Sequence, residues 1–583
     1  MIPFIIKSFT AILLYRNFNK TCYFDIFMKW STKRLILLYL GLVIIKSVLS
    51  YLIASPGEFS DSYEYMKMAR SFFFSQQFLI HGTPSHHYPP LYPMALSLSY
   101  IFNNPETVYF VMKIINSILS PLIIFPTYLL AKKFTSSKNS FIISSLVAFL
   151  PSNFSFSNYI MSENLLYPVF MFSIYFMYKV LKNKSLIWSV LTGIFIGLST
   201  LTKDLGLVLL PIMFILYILN LFLKRPHNIN FNKFFIVIFF FLITISPWLY
   251  RNYSFFGLSL FGIMGFYTTT ALRFEAQNEF KLINIIVKFF MNVGLLILGS
   301  YILPFLKSLN FYKILKDKKD MTLFLTVIII TLAIVSYHGL YASLINISWI
   351  SGRPMGRYVD ILLPLIFIMG IVSFNQKTKI ASWIYLSLIP VLIISSPLVL
   401  FPLFPVNNLS YSWIGVLKYA LDLLFNFKIS TVLVLFSLFF LLLYSVSLKL
   451  LKIRLEKILS LFIILLFLVN VLNFGITYHN SKTFWYEGEQ MQLALKFSEI
   501  DKGESKILFD IESCTKDISK LDQSTLCEPS GGSTIMGVWL NNDIKVGSIG
   551  DLADVDIVIS NRKLNLPVFL RSDNVFIYRV RNN

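Results

Sequence analysis

Cysteine is scarce in this chain. Three residues in 583 exclude a Cys-rich metal site or a disulfide scaffold. Charge is scarce too: Asp, Glu, Lys and Arg make up 14% of the residues, against about a quarter in soluble globular domains. Acids are the rarer sign, 29 against 51 bases, and the formal net charge is +22. That excess does not signal nucleic acid, because the basic residues are distributed between long apolar runs. Hydrocarbon is what the chain has in abundance, with 56% hydrophobic residues and a mean hydropathy of +0.69. Several runs reach the ~18–20 apolar residues needed to cross a bilayer core. The expected fold class is an all-α polytopic membrane protein.

Thirteen spans are expected, at roughly 35–54, 107–131, 139–157, 164–182, 186–201, 204–223, 232–250, 283–306, 321–341, 359–376, 380–401, 429–450 and 458–475. The short apolar piece 91–103 decides the topology, because counting it as a span inverts every later loop. If it lies at the interface, one set of loops carries Lys132/Lys133, Lys182/Lys184, Lys224/Arg225, Lys316/Lys318/Lys319, Lys377/Lys379 and Lys452/Arg454. The N-terminal arm, with Arg16, Lys20, Lys29, Lys33 and Arg34, falls on that same side. The positive-inside rule then places the N-terminus in the cytosol, with the 55–106 loop and the C-terminal tail outside. Residues 1–34 read as a basic cytosolic arm, in which 1–27 is either an interfacial segment or an over-extended start. Residues 35–477 read as the membrane domain, and 478–583 as an extracytoplasmic domain of a multi-pass plasma-membrane protein. A cleaved signal is not expected at the first span, since many spans follow and no A-x-A site appears.

Beyond the last span the composition turns polar, with short β-like runs at Lys506–Ile511, Val555–Ile559 and Val575–Val580. A small α/β or α+β domain of about a hundred residues fits this tail. Cys514 and Cys527 lie within it and are expected to pair on the outer face, the alternative being two free thiols. Cys22 is a bystander.

Ionisable residues are expensive in a membrane protein and mark its functional site. Here they converge on the outer face. The first outer loop, 55–106, supplies Glu58, Asp61, Glu64, His81, His86 and His87, while span ends on the same side supply Glu163, Lys203, Asp204, Arg251, Arg353 and Arg357. Acids and cations on one rim suit a reaction that removes a proton and stabilises an anionic leaving group. Asp61 also reads as the N-cap of a helix with Tyr65, Met68, Ala69 and Phe72 on its apolar face. A capping aspartate at a loop end still faces a cavity, so the two roles coexist. Glu163 caps the next span or serves the site. Lys203 snorkels or grips phosphate, and Arg251 contacts a headgroup or the substrate. His86 and His87 open a proline-braced turn through Tyr88; with Glu163 they are a weak candidate set for a divalent metal cation. Gly352–Tyr358 pairs Arg353 and Arg357 with glycines, which suits close approach to phosphate, and Tyr358 belongs to the same segment.

The order of these motifs resembles a known family. An early acidic outer loop is followed by P-P-L-Y at Pro89–Tyr92, S-E at Ser162–Glu163, L-T-K at Leu201–Lys203, P-W-x-x-R-N at Pro247–Asn252 and R-Y-x-x-x-x-L-P at Arg357–Pro364. This is similar to the membrane-embedded GT-C glycosyltransferases, in particular protein O-mannosyltransferase-like and lipid A aminoarabinose-transferase-like enzymes. The resemblance implies a polyprenyl- or dolichyl-phosphate-linked sugar as donor, an inverting transfer, and an acceptor that is a protein, a lipid or a glycan, as in protein glycosylation or glycolipid modification. It implies Asp61 as general base, Glu163 as second catalytic acid, and Glu58, Tyr88, Lys203, Arg251, Arg353, Arg357 and Tyr358 around the donor phosphate. Two departures argue against aminoarabinose itself: Pro89 stands where those enzymes place a lysine, and the second outer acid is Glu163 rather than an aspartate. From the residues alone, a lipid-linked glycan polymerase or ligase and a transporter remain as alternatives.

Overall fold

A computed structural model describes residues 30–56, 60–80, 82–85, 88–222, 229–257, 282–315, 319–344, 356–374, 455–510 and 536–580, with isolated positions between them. The membrane part is helical: α1 Trp30–Tyr51, α2 Ser60–Ser75, α3 Leu91–Leu96, α4 Pro105–Leu119, α5 Ile124–Ala131, α6 Ser137–Ala148, α7 Pro151–Phe154, α8 Glu163–Lys182 and α9 Ile187–Thr202. It continues through α10 Leu209–Phe222, α11 Phe231–Phe256, α12 Leu282–Gly299, α13 Leu303–Ser308, α14 Lys319–Leu344, α15 Arg357–Asp360, α16 Leu363–Val372 and α17 Leu455–His479.

Among the described residues, seven helices are long and apolar enough to cross a membrane, or nine if each of two bent pairs is one span. The thirteen expected spans are therefore not reached here. Segments 380–401 and 429–450 fall outside the described residues. Those at 186–201 and 359–376 appear as the short helices α9 and α16. The 91–103 piece is the short helix Leu91–Ile101.

Helix burial varies widely along the chain. α8 starts with Glu163, ends with Lys182 and has 78% of its apolar window buried, whereas α1 has 22% and turns Leu37, Ile44 and Val48 outward. α9 packs tightly on α11 because glycines face it. A Cβ on Gly193 would meet the Val237 carbonyl at 2.4 Å, and one on Gly197 would meet Thr244 at 2.6 Å. Small residues permit such close helix approach in lipid, where dispersion replaces hydrophobic drive.

Both bends have local causes. Pro151 disfavours helix at the residue before it, and the chain turns by 67° between α6 and α7. Side chains then satisfy the polar backbone groups at the break: Asn153 Nδ2 donates to the Val147 carbonyl at 2.7 Å, and Asn470 Nδ2 to the Phe149 carbonyl at 2.8 Å. Lys46, the deep charge of the first span, donates to the Asn153 carbonyl at 2.7 Å and to Ser120 Oγ at 2.7 Å. The second bend, 105° between α12 and α13, passes through Tyr301 and Ile302 at φ +60° and +61°. Two consecutive non-glycine residues in that region are costly and persist only because both are buried in the packed bundle.

The tail folds as α18 Glu489–Ile500 over a mixed sheet of β3 Ile507–Asp510, β4 Ile544–Gly547, β5 Ile557–Ser560, β6 Val568–Arg571 and β7 Phe576–Arg579; β1 Leu79–Ile80 and β2 Thr83–Pro84 form a hairpin in the outer loop. The order is β4-β3-β5-β7-β6, with β3 parallel to both neighbours and β7 antiparallel to both of its own. β3, β5 and β7 fall on the three β-like runs; β4 and β6 lacked that signal. Cys514 and Cys527 lie outside the described residues, as does the expected arm at 1–29.

The tail and the 55–106 loop share one core. Tyr63, Tyr65, Met66 and Met68 of α2 cluster with Met491, Met536, Trp539 and Ile544. A Cβ on Gly537 would meet the Tyr63 ring at 2.5 Å, and Lys67 Nζ donates to the Leu540 carbonyl at 2.5 Å. The sheet domain thus clamps the helix that carries Asp61.

Candidate active site

α2 begins at Ser60, two residues earlier than a cap at Asp61 requires, so Asp61 lies in its first turn. The apolar face behaves as the spacing predicts: Tyr65, Met68 and Ala69 are buried. This anchors the helix and leaves the Asp61 carboxylate, 19% exposed, at its upper end. Tyr88 Oη donates to Asp61 Oδ1 at 2.8 Å, and Arg357 Nη2 reaches Oδ2 at 3.3 Å.

Glu163 opens α8, where the positive end of the helix dipole favours a carboxylate. It is 1% exposed, and its Oε1 accepts from Lys203 Nζ at 2.6 Å with Arg357 Nε at 3.7 Å. Lys203 follows the last residue of α9 in extended backbone, which turns its side chain toward Glu163. Its ammonium also lies 4.9 Å from the centre of the Tyr358 ring. Arg357 opens α15 and is fixed from behind, its carbonyl accepting from Tyr167 Oη at 2.6 Å. The four groups form a neutral square of two carboxylates and two cations. Asp61 is the most exposed corner, against 13% for Lys203 and 7% for Arg357.

Tyr167 was not singled out in the sequence, and Tyr65 was read only as apolar packing. Tyr65 Oη donates to Ser162 Oγ at 2.9 Å, and its ring lies 4.8 Å from that of Tyr88. Tyr65 and Tyr167 stand four residues after Asp61 and Glu163, on the same helix faces, and that spacing is the signal that would have found them.

Arg251, expected at phosphate, is engaged elsewhere. It donates to the carbonyls of Ser85 at 2.5 Å and Phe78 at 2.7 Å, and stacks 4.6 Å from Trp248. It ties the β1–β2 hairpin to α11, and none of these contacts joins it to the Asp61 square. Glu58, His81, His86, His87 and Arg353 lie outside the described residues. Among the described residues no group of three or more His, Cys, Asp or Glu side chains could hold a metal ion, and Glu163 faces Lys203 and Arg357.

Glu64 stands one turn after Asp61. Burial, and then the Asp61 charge, pushes its carboxyl up to about 7. A folded value above the unfolded 4.5 means stability that is complete below pH 4.5 and lost as pH rises through 7. Lys67, lowered from 10.5 to about 7 chiefly by burial, contributes a slope of the opposite sign above pH 7. Comparison at fixed pH removes its contribution. Glu64→Gln is therefore expected to match the wild-type Tm at pH 5 and to exceed it at pH 8 by a few degrees. A thermal unfolding series in detergent from pH 5 to 8 checks this.

The ion pairs predict a coupling. Glu163→Gln leaves the buried Arg357 and the partly buried Lys203 without their shared carboxylate, and is expected to lose about 3 kcal/mol of stability. Lys203→Met combined with Glu163→Gln is expected to lose less than the two single changes added together. A double-mutant cycle on Tm measures the difference.

The chain matches the family model described as dolichyl-phosphate-mannose-protein mannosyltransferase over residues 87–250, a stretch that includes Tyr88, Glu163 and Lys203. Two solved structures of ArnT from Cupriavidus metallidurans resemble it across nearly its whole length. The one bound to undecaprenyl phosphate aligns with 93% of this chain and 97% of its own, at 13% identity and a TM-score of 0.56. The chain has the GT-C fold. The apo ArnT structure agrees, with 94% and 98% covered, 13% identity and a TM-score of 0.54. No curated protein sequence matches. With 93% of the chain aligned, the fold takes in the 55–106 loop, the short helix within it and the sheet domain. It also carries Asp61 and Arg357 beyond the two ends of the matched family segment, each docked against residues inside that segment.

Proposed function

We propose that this GT-C protein is an inverting glycosyltransferase of the plasma membrane. It moves a sugar from a polyprenyl- or dolichyl-phosphate donor to a hydroxyl or amine of a protein, lipid or glycan on the extracytoplasmic side. The observation that carries the reading is the Asp61 carboxylate held between a phenol and a guanidinium, with a second acid–cation pair beside it.

In this reading the donor phosphate enters a square whose charges already cancel. Arg357 turns from Asp61 toward the phosphate, which frees the carboxylate to accept a proton. The acceptor O–H or N–H gives that proton to Asp61, its lone pair forms the bond to the anomeric carbon, and the carbon–oxygen bond to phosphate breaks with its electrons on the leaving oxygen. Pre-placed Arg357 and Lys203 stabilise that charge without reorganising, as electrostatic catalysis requires. Glu163 holds both cations in place. The polyprenyl tail stays in lipid, where each buried CH₂ is worth about 0.8 kcal/mol, so the reacting group sits at headgroup depth.

The test is a transfer assay on the protein reconstituted into proteoliposomes. Radiolabelled polyprenyl-phosphate sugars are expected to be consumed, with label appearing in an acceptor fraction, while nucleotide sugars are left untouched. Consumption of nucleotide sugars alone, or translocation of the lipid with its sugar still attached, would reject the reading. Comparing glycans and lipids of a deletion strain with its parent identifies the acceptor.

A further inference from the structure

One basic cluster is not used by the reaction. α8 carries Glu163 at its first residue and Lys182 at its last, so at 1.5 Å per residue the two ends lie about 28 Å apart, a bilayer core's thickness. At the far end a cavity of about 380 Å³ opens between the ends of α5 and α8, the turn after α13 and the start of α14. Lys133, Lys179 and Lys182 line it with Phe134, Tyr178 and Asp320. Lys182 pairs with Asp320 at 2.7 Å, so three lysines against one aspartate leave the lining two charges positive. The Lys179 ammonium lies 4.6 Å from the Trp188 ring, and Tyr178 reaches the same level. Trp and Tyr belong at the membrane–water boundary, which sets the cavity at headgroup depth. Lysines at helix C-termini also complement the dipole, but that role needs no cavity.

We propose that this cavity holds the phosphate of an anionic glycerophospholipid from the leaflet opposite the Asp61 site. The chemistry is a phosphate on a basic pocket between span ends, with the acyl chains lying along the neighbouring apolar helices. The source is lipid rather than soluble phosphate because Phe134, Tyr178, Ile314 and Leu315 line the cavity beside the lysines.

Delipidated full-length protein in detergent, followed by native mass spectrometry, tests this with phosphatidylglycerol, phosphatidylcholine and inorganic phosphate as probes. The wild type is expected to retain phosphatidylglycerol in preference to phosphatidylcholine. Lys133→Gln with Lys179→Gln is expected to lower that retention about tenfold or more. The Arg pair at both positions should keep it, and so should Lys132→Gln, an exposed neighbour stacked on Tyr128 outside the cavity. Equal retention of both lipids by the wild type overturns the proposal, and that comparison needs no variant to fold. So does unchanged retention in the Gln pair, or an equal loss in Lys132→Gln. Binding of inorganic phosphate with no preference for phosphatidylglycerol overturns it in favour of a soluble ligand.

Discussion

Arg357→Gln is expected to lower kcat for sugar transfer by about 10²–10³-fold, the usual loss when one pre-placed donor to a developing anion is removed. The same change is expected to destabilise the protein. Arg357 is 7% exposed and lies against both acids, at 3.3 Å from Asp61 and 3.7 Å from Glu163. Removing it leaves Lys203 alone to balance two carboxylates, at a cost of about 3 kcal/mol. Arg357→Lys separates the two effects. A lysine restores the charge but not the planar fork that touches both acids, so stability should recover more than activity. Steady-state transfer rates and Tm, measured on all three proteins, give the comparison.

Asp61→Asn is expected to lower kcat by about 10²–10⁴-fold, the range that proton transfer by a positioned side chain contributes. Here the fold should survive. Asparagine keeps an acceptor for Tyr88 and a carbonyl oxygen in reach of Arg357, which retains the Glu163 carboxylate at 3.7 Å. Lys203 and Glu163 remain paired at 2.6 Å. A large kinetic loss at nearly constant Tm is the signature of a chemical rather than a structural role. Asp61→Glu displaces the carboxylate by one methylene and should recover only part of the rate, since a displacement of this size is costly in a pre-organised site.

The positions of the four charged corners were legible in the sequence because each breaks an apolar run, which a membrane protein permits only where the group has work or a partner. Their pairing was not. Asp61 and Arg357 are 296 positions apart, and hydropathy gives each helix a face without naming the helix that lies against it. The same gap hid the contacts of Arg251. Its place at an outer span end suits phosphate, yet the carbonyls of Phe78 and Ser85 claim it once the hairpin folds over α11. Tyr65 looked like apolar packing, and its ring is buried as expected, but its hydroxyl reaches Ser162. An amphipathic side chain gives no sequence cue for which end matters.

The span pattern was readable where a run is long and uninterrupted. It blurred at Pro151 and Pro304, where one apolar run becomes two helices at an angle. Nothing local announced that the sheet domain would share a core with α2. Trp539 and Met536 look like ordinary interior residues of a small domain, and only their packing against Tyr63 and Met66 makes the tail part of the site's scaffold.

The claim on which the rest depends is that the carboxylate at position 61 takes the acceptor's proton. Single-turnover transfer from a radiolabelled polyprenyl-phosphate sugar, with donor binding measured separately, tests it on the wild type and Asp61→Asn. The account predicts that the variant still binds donor, at least as tightly because Arg357 is released toward the phosphate, while the chemical step slows by two orders of magnitude or more. A variant that turns over at the wild-type rate, or one whose loss lies wholly in donor binding, would contradict it.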